Sequence, residues 1–174
     1  LIKNPLIASN GQHTSAIYGF MNSLFKILKE ENPDYIAIVL DSKEPTFRHE
    51  LYTEYKATRE KMPEELVGQL EPLFDVIRST KIPMIKLPGF EADDIIGTLA
   101  KKAEQCNLHT YIVTGDKDMM QLVTPSTFVY TPGNRFKPTT IYDNKKVSEK
   151  WGIGPDGIID LLALMGDSSD NVPG

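Results

Sequence analysis

Between residues 15 and 30, Ile17, Phe20, Met21, Leu24, Ile27 and Leu28 recur at three- and four-residue spacing, which predicts an amphipathic helix with one buried face. Thr14 or Ser15 can cap its start, and Pro33 and Asp34 break it. Before it, residues 1–15 read as a loop with a turn at Asn10-Gly11. The period then changes. Residues 35–40 (YIAIVL) form a short, nearly unbroken apolar run, as in a parallel strand covered on both faces. Further strands are predicted at 82–87 (IPMIKL), 109–114 (HTYIVT) and 127–131 (TFVYT). A helix starting at Pro63 contains Pro72, which is expected to kink or divide it. Another covers ADDIIGTLAKKAEQC, with Ile95, Ile96, Leu99, Ala100 and Ala103 facing inward. DMMQLV reads as a short helix, PGNRFKPTTIYDN as a looser connection, and two more helices are expected near 145–150 and 155–165. Strands alternating with helices in this order predict an α/β fold with a mostly parallel central sheet built from the four apolar runs.

Residues 42–63 do not fit that alternation. They are polar, mixed in charge and rich in Tyr, Arg and Lys, and read as a partly helical excursion from the core. Were the stretch helical, Arg48, Tyr52, Lys56 and Arg59 would share one face. Arg48, Lys56, Arg59 and Lys61 could then meet phosphates, while Phe47, Tyr52 and Tyr55 pack or stack on bases. The competing reading is an ordinary solvated helix, because Glu44, Glu50, Glu54 and Glu60 nearly balance the basic residues.

Eight carboxylates fall in four clusters where predicted elements end or begin. They are Asp41; Glu91, Asp93 and Asp94 in GFEADD; Asp116 and Asp118 in VTGDKD; and Asp167 and Asp170 in GDSSDN. Each has a local explanation. Asp93 and Asp94 complement a helix dipole with Glu91 close to the cap, Asp116 can cap a helix, and Asp41, Asp167 and Asp170 suit turns. Together they gather at the carboxyl edge of the predicted sheet, where open α/β sheets bind ligands. Acids brought together repel unless something positive lies between them. All-oxygen donors without His- or Cys-rich spacing suit Mg²⁺ or Mn²⁺ better than zinc. Two such ions about 4 Å apart can drive phosphodiester hydrolysis.

Composition narrows the alternatives. The chain has 174 residues, 40% hydrophobic and 25% charged, which bounds it to one domain with room for an appended lobe. No apolar run is long enough for a bilayer and no secretory signal opens the chain. Cys106 is the only cysteine, so neither an intrachain disulfide nor a thiolate zinc site is available; it reads as a packed or half-buried helix residue. His13, His49 and His109 stand in no ligand-like pattern, and no phosphate-binding or dinucleotide glycine fingerprint is present. The formal charge of −5 argues against a nucleic-acid partner only until the clustered acids are set aside. Without those eight, 16 acidic residues face 19 basic ones.

FRHELYTEYKATR, GFEADDIIGTLA, VTGDKDMMQLV and LMGDSSDNVPG resemble, in order, the motifs of the 5′→3′ exonuclease domains of bacterial DNA polymerase I. These belong to the flap endonuclease family. The resemblance implies a three-layer PIN-like, Rossmann-like α/β domain over 1–174 with an arch at 42–63. It implies a metal-dependent 5′ nuclease that cuts DNA or RNA 5′ ends and flaps in primer removal and repair, leaving a 5′-phosphate with no covalent enzyme intermediate. Asp41, Glu91, Asp93 and Asp94 would serve a first Mg²⁺ or Mn²⁺ ion. Asp116, Asp118, Asp167 and Asp170 would serve a second. Arg48, Lys56 and Arg59 would occupy the arch that steers the 5′ strand and its scissile phosphate, Arg48 and Lys56 with a catalytic part, and Phe47 and Tyr52 would also contact the nucleic acid. The partners implied are 5′-ended or flapped DNA, or an RNA primer, and no membrane. A monomer fused to a polymerase, at the nucleoid in the bacterial cytoplasm, is expected. The family pattern also includes an earlier strand with another ligand Asp and a later glycine-rich helix–turn–helix that grips duplex DNA. Neither is in these 174 residues, so part of a longer chain is expected and full activity alone is not. A PIN-like ribonuclease and a non-catalytic nucleic-acid-binding fragment are the rival readings.

Overall fold

The computed structural model describes residues 5–133 and 137–174. The first four residues of the expected opening loop, and residues 134–136 of the looser connection, lie outside them. The chain divides into two compact units: residues 1–38 with 60–85, and residues 39–59 with 86–174.

The first unit is a helix pair with Ile36, Ile38, Ile82 and Met84 packed against its core. Helix α1 (Ser15–Glu30) turns Met21 and Leu24 inward, with Ile17 and Leu28 packed beside them; Phe20 is partly exposed. Its partner is α3 (Glu64–Ser79), whose Leu73 and Ile77 complete the core. The expected interruption at Pro72 does not occur, and α3 is a single helix. Thr14 occupies the N-cap of α1 but makes no capping bond; its hydroxyl and that of Ser15 fasten Leu6 instead. A buried glutamine caps the helix. Gln69 Oε1 accepts the Ala16 N–H at 2.8 Å, and Gln69 Nε2 donates to the Glu65 carbonyl at 2.7 Å. One free N–H of the first turn is thereby satisfied in the interior. Strand β1 (Ile38–Val39) begins with the Ile38 N–H donating to Pro83 O at 2.9 Å, beside β2 (Met84–Ile85).

The second unit holds the three-stranded sheet β3-β4-β5. β3 (Thr110–Val113) runs parallel to β4 (Thr127–Thr131), and β4 runs antiparallel to β5 (Thr140–Tyr142). β5 is too short and polar at its flanks to stand out by pattern. Among the described residues the strands form two sheets, β1-β2 and β3-β4-β5, where one was expected, and β1 and β2 are each two residues long. Helix α4 (Ala92–Gln105) packs on this sheet through Ala100 and Ile96. Met119, Met120, Val123, Val129, Val147 and Ile158 fill the core. DMMQLV is a 3₁₀ helix, Asp118–Leu122, and α5 (Asn144–Trp151) and α6 (Ile158–Met165) follow the sheet. Cys106, expected to be packed or half-buried, is the C-cap of α4 and is exposed. Among the described residues no helix is long and apolar enough to cross a membrane.

The excursion at 42–63 is helical only over α2 (Phe47–Leu51), capped when the Thr46 N–H donates to His49 Nδ1 at 3.1 Å. Tyr52 is already extended and turns follow, so the shared helical face expected for Arg48, Tyr52, Lys56 and Arg59 does not exist.

Candidate active site

Every acidic cluster in the second unit is held by the end of an element. Glu91 is the N-cap of α4, and Asp93 and Asp94 stand in its first turn. Asp41 reaches the same helix end: its Oδ1 accepts the Ala92 N–H at 2.8 Å. Free N–H groups and the positive end of the helix dipole thus hold acids that would otherwise repel. After β3, the Asp116 N–H donates to Thr114 Oγ1 at 3.0 Å, and Asp116 Oδ1 accepts the Asp118 N–H at 2.9 Å. The last cluster closes on itself. Asp167 and Val172 exchange two backbone bonds of 2.8 Å, and Asp167 Oδ1 accepts from Ser169 N–H and Oγ at 2.8 and 2.6 Å.

These turns meet at a cleft of about 450 Å³. Glu91, Asp93, Asp116, Asp118, Asp167 and Asp170 line it, together with Arg48, Lys56 and Arg59. Asp41 is not in its lining, but its charge acts on Asp93. Asp94 is turned elsewhere, and both its oxygens lie 2.8 Å from the Arg48 guanidinium. Asp94, expected among the ion ligands, is paired with Arg48 in this structure. Of the expected base-contacting residues, Phe47 packs tilted against Phe90, with ring centres 6.3 Å apart, beneath Arg48. Tyr52 is partly exposed and does not line the cleft.

Lys56 and Arg59 turn toward the acids, whereas Lys61, also expected to meet phosphates, is exposed. Lys56 Nζ lies 2.8 Å from Glu91 Oε1 and 3.8 Å from Asp170 Oδ2, and Arg59 contacts Asp170 Oδ1. The backbones are joined too. The Lys56 N–H donates to the Asp170 carbonyl at 2.9 Å, and Asn171 Nδ2 donates to the Glu54 carbonyl at 2.9 Å. Lys56 adopts the left-handed conformation, with φ 58°, to make this turn. Tyr55, expected only to pack or to stack on bases, directs its hydroxyl to Glu91 Oε2 and Asp170 Oδ2, each 3.1 Å away. One hydroxyl proton serves two carboxylates, a role no sequence spacing announces. Lys117 also lines the cleft, between the two acids of VTGDKD.

Charge in the cleft is incompletely balanced. Burial, then Asp116, Asp41 and Glu91, push the Asp93 carboxyl above its ordinary range. Burial and Asp116 raise Asp118 in the same way, and Asp118 Oδ1 is buried without a hydrogen-bond partner. The hydrogen bonds from Arg48 hold Asp94 below the usual range, as those from Ser169 do for Asp167. Burial and the neighbouring Glu91 and Asp170 push the Tyr55 hydroxyl far up, so it remains a donor.

This donor set fits a hard divalent cation. It consists of carboxylate oxygens, one of them an orphan, in ground that resists further negative charge. Among the described residues, no three acidic, histidine or cysteine side chains are gathered as an ion's ligand shell where they stand. Lys56 lies between Glu91 and Asp170 instead.

The family model for the 5′-3′ exonuclease, N-terminal resolvase-like domain, matches residues 1–152. The chain is 43% identical over 171 residues to DNA polymerase I of Bacillus caldotenax, a match covering 98% of this chain and 20% of that protein. It is 40% identical over 170 residues to the 5′-3′ exonuclease of Aquifex aeolicus, covering 98% of this chain and 57% of that protein. The chain thus spans only part of the curated relatives it matches. Its fold is similar to that of the bacteriophage T5 D15 flap endonuclease, solved as a pseudo-enzyme-product complex with DNA and metal ions. The TM-score is 0.75 at 22% identity, covering 91% of this chain and 61% of the T5 chain. The α/β fold is therefore that of the PIN-like 5′ nucleases.

Proposed function

The chain belongs to the 5′-3′ exonuclease family through its N-terminal resolvase-like domain, and from that premise we propose that it is the core of a divalent-metal-dependent 5′ nuclease. Its substrates are DNA 5′ ends and flaps, or RNA primers, and its reaction is phosphodiester hydrolysis during primer removal and repair. Its setting is a longer, monomeric bacterial polypeptide of the DNA polymerase I kind, in the cytoplasm at the nucleoid. The similarity to DNA polymerase I of Bacillus caldotenax supports the polymerase-linked part of that setting, and the similarity to the Aquifex aeolicus 5′-3′ exonuclease supports the activity.

Asp41, Glu91 and Asp93 form the ligand group at the start of α4, and Asp116, Asp118, Asp167 and Asp170 form the other. Mg²⁺ or Mn²⁺, two ions per site, would activate water and stabilise charge on the leaving oxygen when bound. The chain's own residues supply the rest. Lys56 and Arg59, now held by Glu91 and Asp170, are the cations nearest the acids and can turn to the scissile phosphate as those acids take up ions. Tyr55 orients Glu91 and Asp170 through its hydroxyl. Arg59, whose side chain is 52% exposed, is the one best placed to meet an incoming strand.

The observation that carries this reading is the unpartnered Asp118 oxygen, buried in a cleft walled by acids and crossed by lysine and arginine. In Mg²⁺, a DNA 5′ flap should be cut in preference to single-stranded RNA. RNA cleavage independent of a 5′ end would overturn the assignment in favour of a PIN-like ribonuclease. Asp116→Ala and Asp118→Ala should each lower kcat by more than the ~10–100-fold typical of outer-shell changes, with flap binding retained. Near-normal turnover of either variant at limiting Mg²⁺ would remove that residue from the ligand set.

A further inference from the structure

Successive side chains on a helix point about 100° apart, so Asp93 and Asp94 leave the first turn of α4 in different directions. Asp93 lines the cleft. Asp94 faces α2, where its two oxygens meet Arg48 Nη1 and Nη2 at 2.8 Å each. This is the two-pronged arginine–carboxylate pairing, whose planar fit gives direction as well as strength. Asp94 Oδ2 also accepts the Glu91 N–H at 3.1 Å. The arginine lies 4.6 Å from the centre of the Phe47 ring, which in turn packs against Phe90, just before α4. Arg48 comes no closer to Glu91 than 3.9 Å.

From this geometry we infer that Asp94 and Arg48 form a clasp that seats the start of the excursion on the first turn of α4, so that Asp94 is a positioning residue and not an ion ligand. The inference rests on the nuclease reading and refines it. A five-residue helix has too few internal bonds to form without tertiary support. The clasp supplies that support to α2 and fixes where the following turn, with Tyr55, Lys56 and Arg59, enters the cleft. It also removes Arg48 from the phosphate contacts expected of it from sequence, since its guanidinium is already committed.

The clasp has a consequence that a ligand role does not share. Asp94→Ala frees Arg48 to swing onto Glu91, where a cation competes with the ion. Removing the arginine as well should cure the defect. We expect Asp94→Ala to weaken Mn²⁺ binding, followed by spin resonance, and Arg48→Ala/Asp94→Ala to restore wild-type stoichiometry and an affinity within about threefold of wild type, a difference of ~0.7 kcal/mol. A double variant that binds one ion fewer, or binds as weakly as Asp94→Ala, overturns the inference.

A second measurement needs neither ion nor activity. Backbone amides of residues 47–51 should exchange with solvent about tenfold faster or more in Arg48→Ala, Asp94→Ala and Arg48→Lys alike, because lysine cannot make the forked contact. Unchanged exchange in the two alanine variants also overturns the inference. If the wild-type protein cleaves no nucleic acid, the nuclease reading falls while the exchange result still judges the clasp. On flap substrate, the two alanine substitutions should be non-additive in kcat/KM, the double being no worse than the poorer single.

Discussion

A carboxylate buried among other carboxylates resists ionisation, and Asp93 and Asp118 both stand in that position. Their folded-state pKa values lie above the ordinary 3.8, so in that window the folded chain keeps protons that the unfolded chain releases. The sign follows. Their contribution to stability is greatest at low pH, falls as pH rises from 3.8 through the raised value, and stays at its lower level above it. Asp94 and Asp167 shift the other way, which makes the difference between wild type and a single variant the useful quantity. Asp118→Asn should flatten that fall in urea unfolding without metal. At neutral pH it should raise Tm, because the variant no longer places a charge among the other carboxylates. The same variant should lose stabilisation by Ca²⁺ or Mn²⁺, which in the wild type reaches about 2.7 kcal/mol at a hundred times Kd. A Tm that falls in Asp118→Asn would contradict the like-charge account of this residue.

Among the elements, those with a strong period were legible and those made by tertiary contact were not. α1, α4 and β4 lie where the apolar spacing put them, because each buries one face against a core that rewards that spacing. α2 ends at Leu51 because the residues after it are held by side-chain and backbone bonds to Glu91 and Asp170, contacts distant in sequence. The cap of α1 differs from expectation for a similar reason. Local pattern points to a hydroxyl at Thr14 or Ser15, whereas the bond comes from Gln69, 53 residues away from Ala16. Gln69→Ala should therefore cost about 1–3 kcal/mol by leaving a buried donor unpaired, whereas Thr14→Ala should be far milder. Equal losses for the two, measured by denaturant unfolding, would show that the glutamine is not the operative cap.

At the scale of the whole molecule, the acidic formal charge of −5 is concentrated where it serves a cleft. The clusters were legible together because each ends an element. What the sequence could not show was how the cations divide: Arg48 to Asp94, Lys56 to Glu91, Arg59 to Asp170. All three have the same character along the chain, and only the path of the turns separates them. The division predicts different salt behaviour. Arg59→Gln should make flap binding at fixed Ca²⁺ less salt-sensitive, lowering the slope of log affinity against log salt by ~0.9 for each phosphate no longer neutralised. Arg48→Gln should leave that slope within error of wild type while weakening binding through the displaced turn. A slope change at Arg48 as large as that at Arg59 would place both on phosphate.

The left-handed backbone at Lys56 changes what a substitution there means. An L-residue in that region bears a local penalty of roughly 1–2 kcal/mol from its Cβ, which glycine escapes and asparagine partly relieves. Alanine at 56 therefore removes the ammonium but leaves the penalty in place. Glycine removes both, and a β-branched residue disturbs the turn itself. Under selection for a folded protein, position 56 should tolerate Gly and Asn and reject Val and Ile. Under selection for cleavage it should accept little but lysine. The contrast between those two tolerance profiles would separate the shape of the turn from the charge it carries.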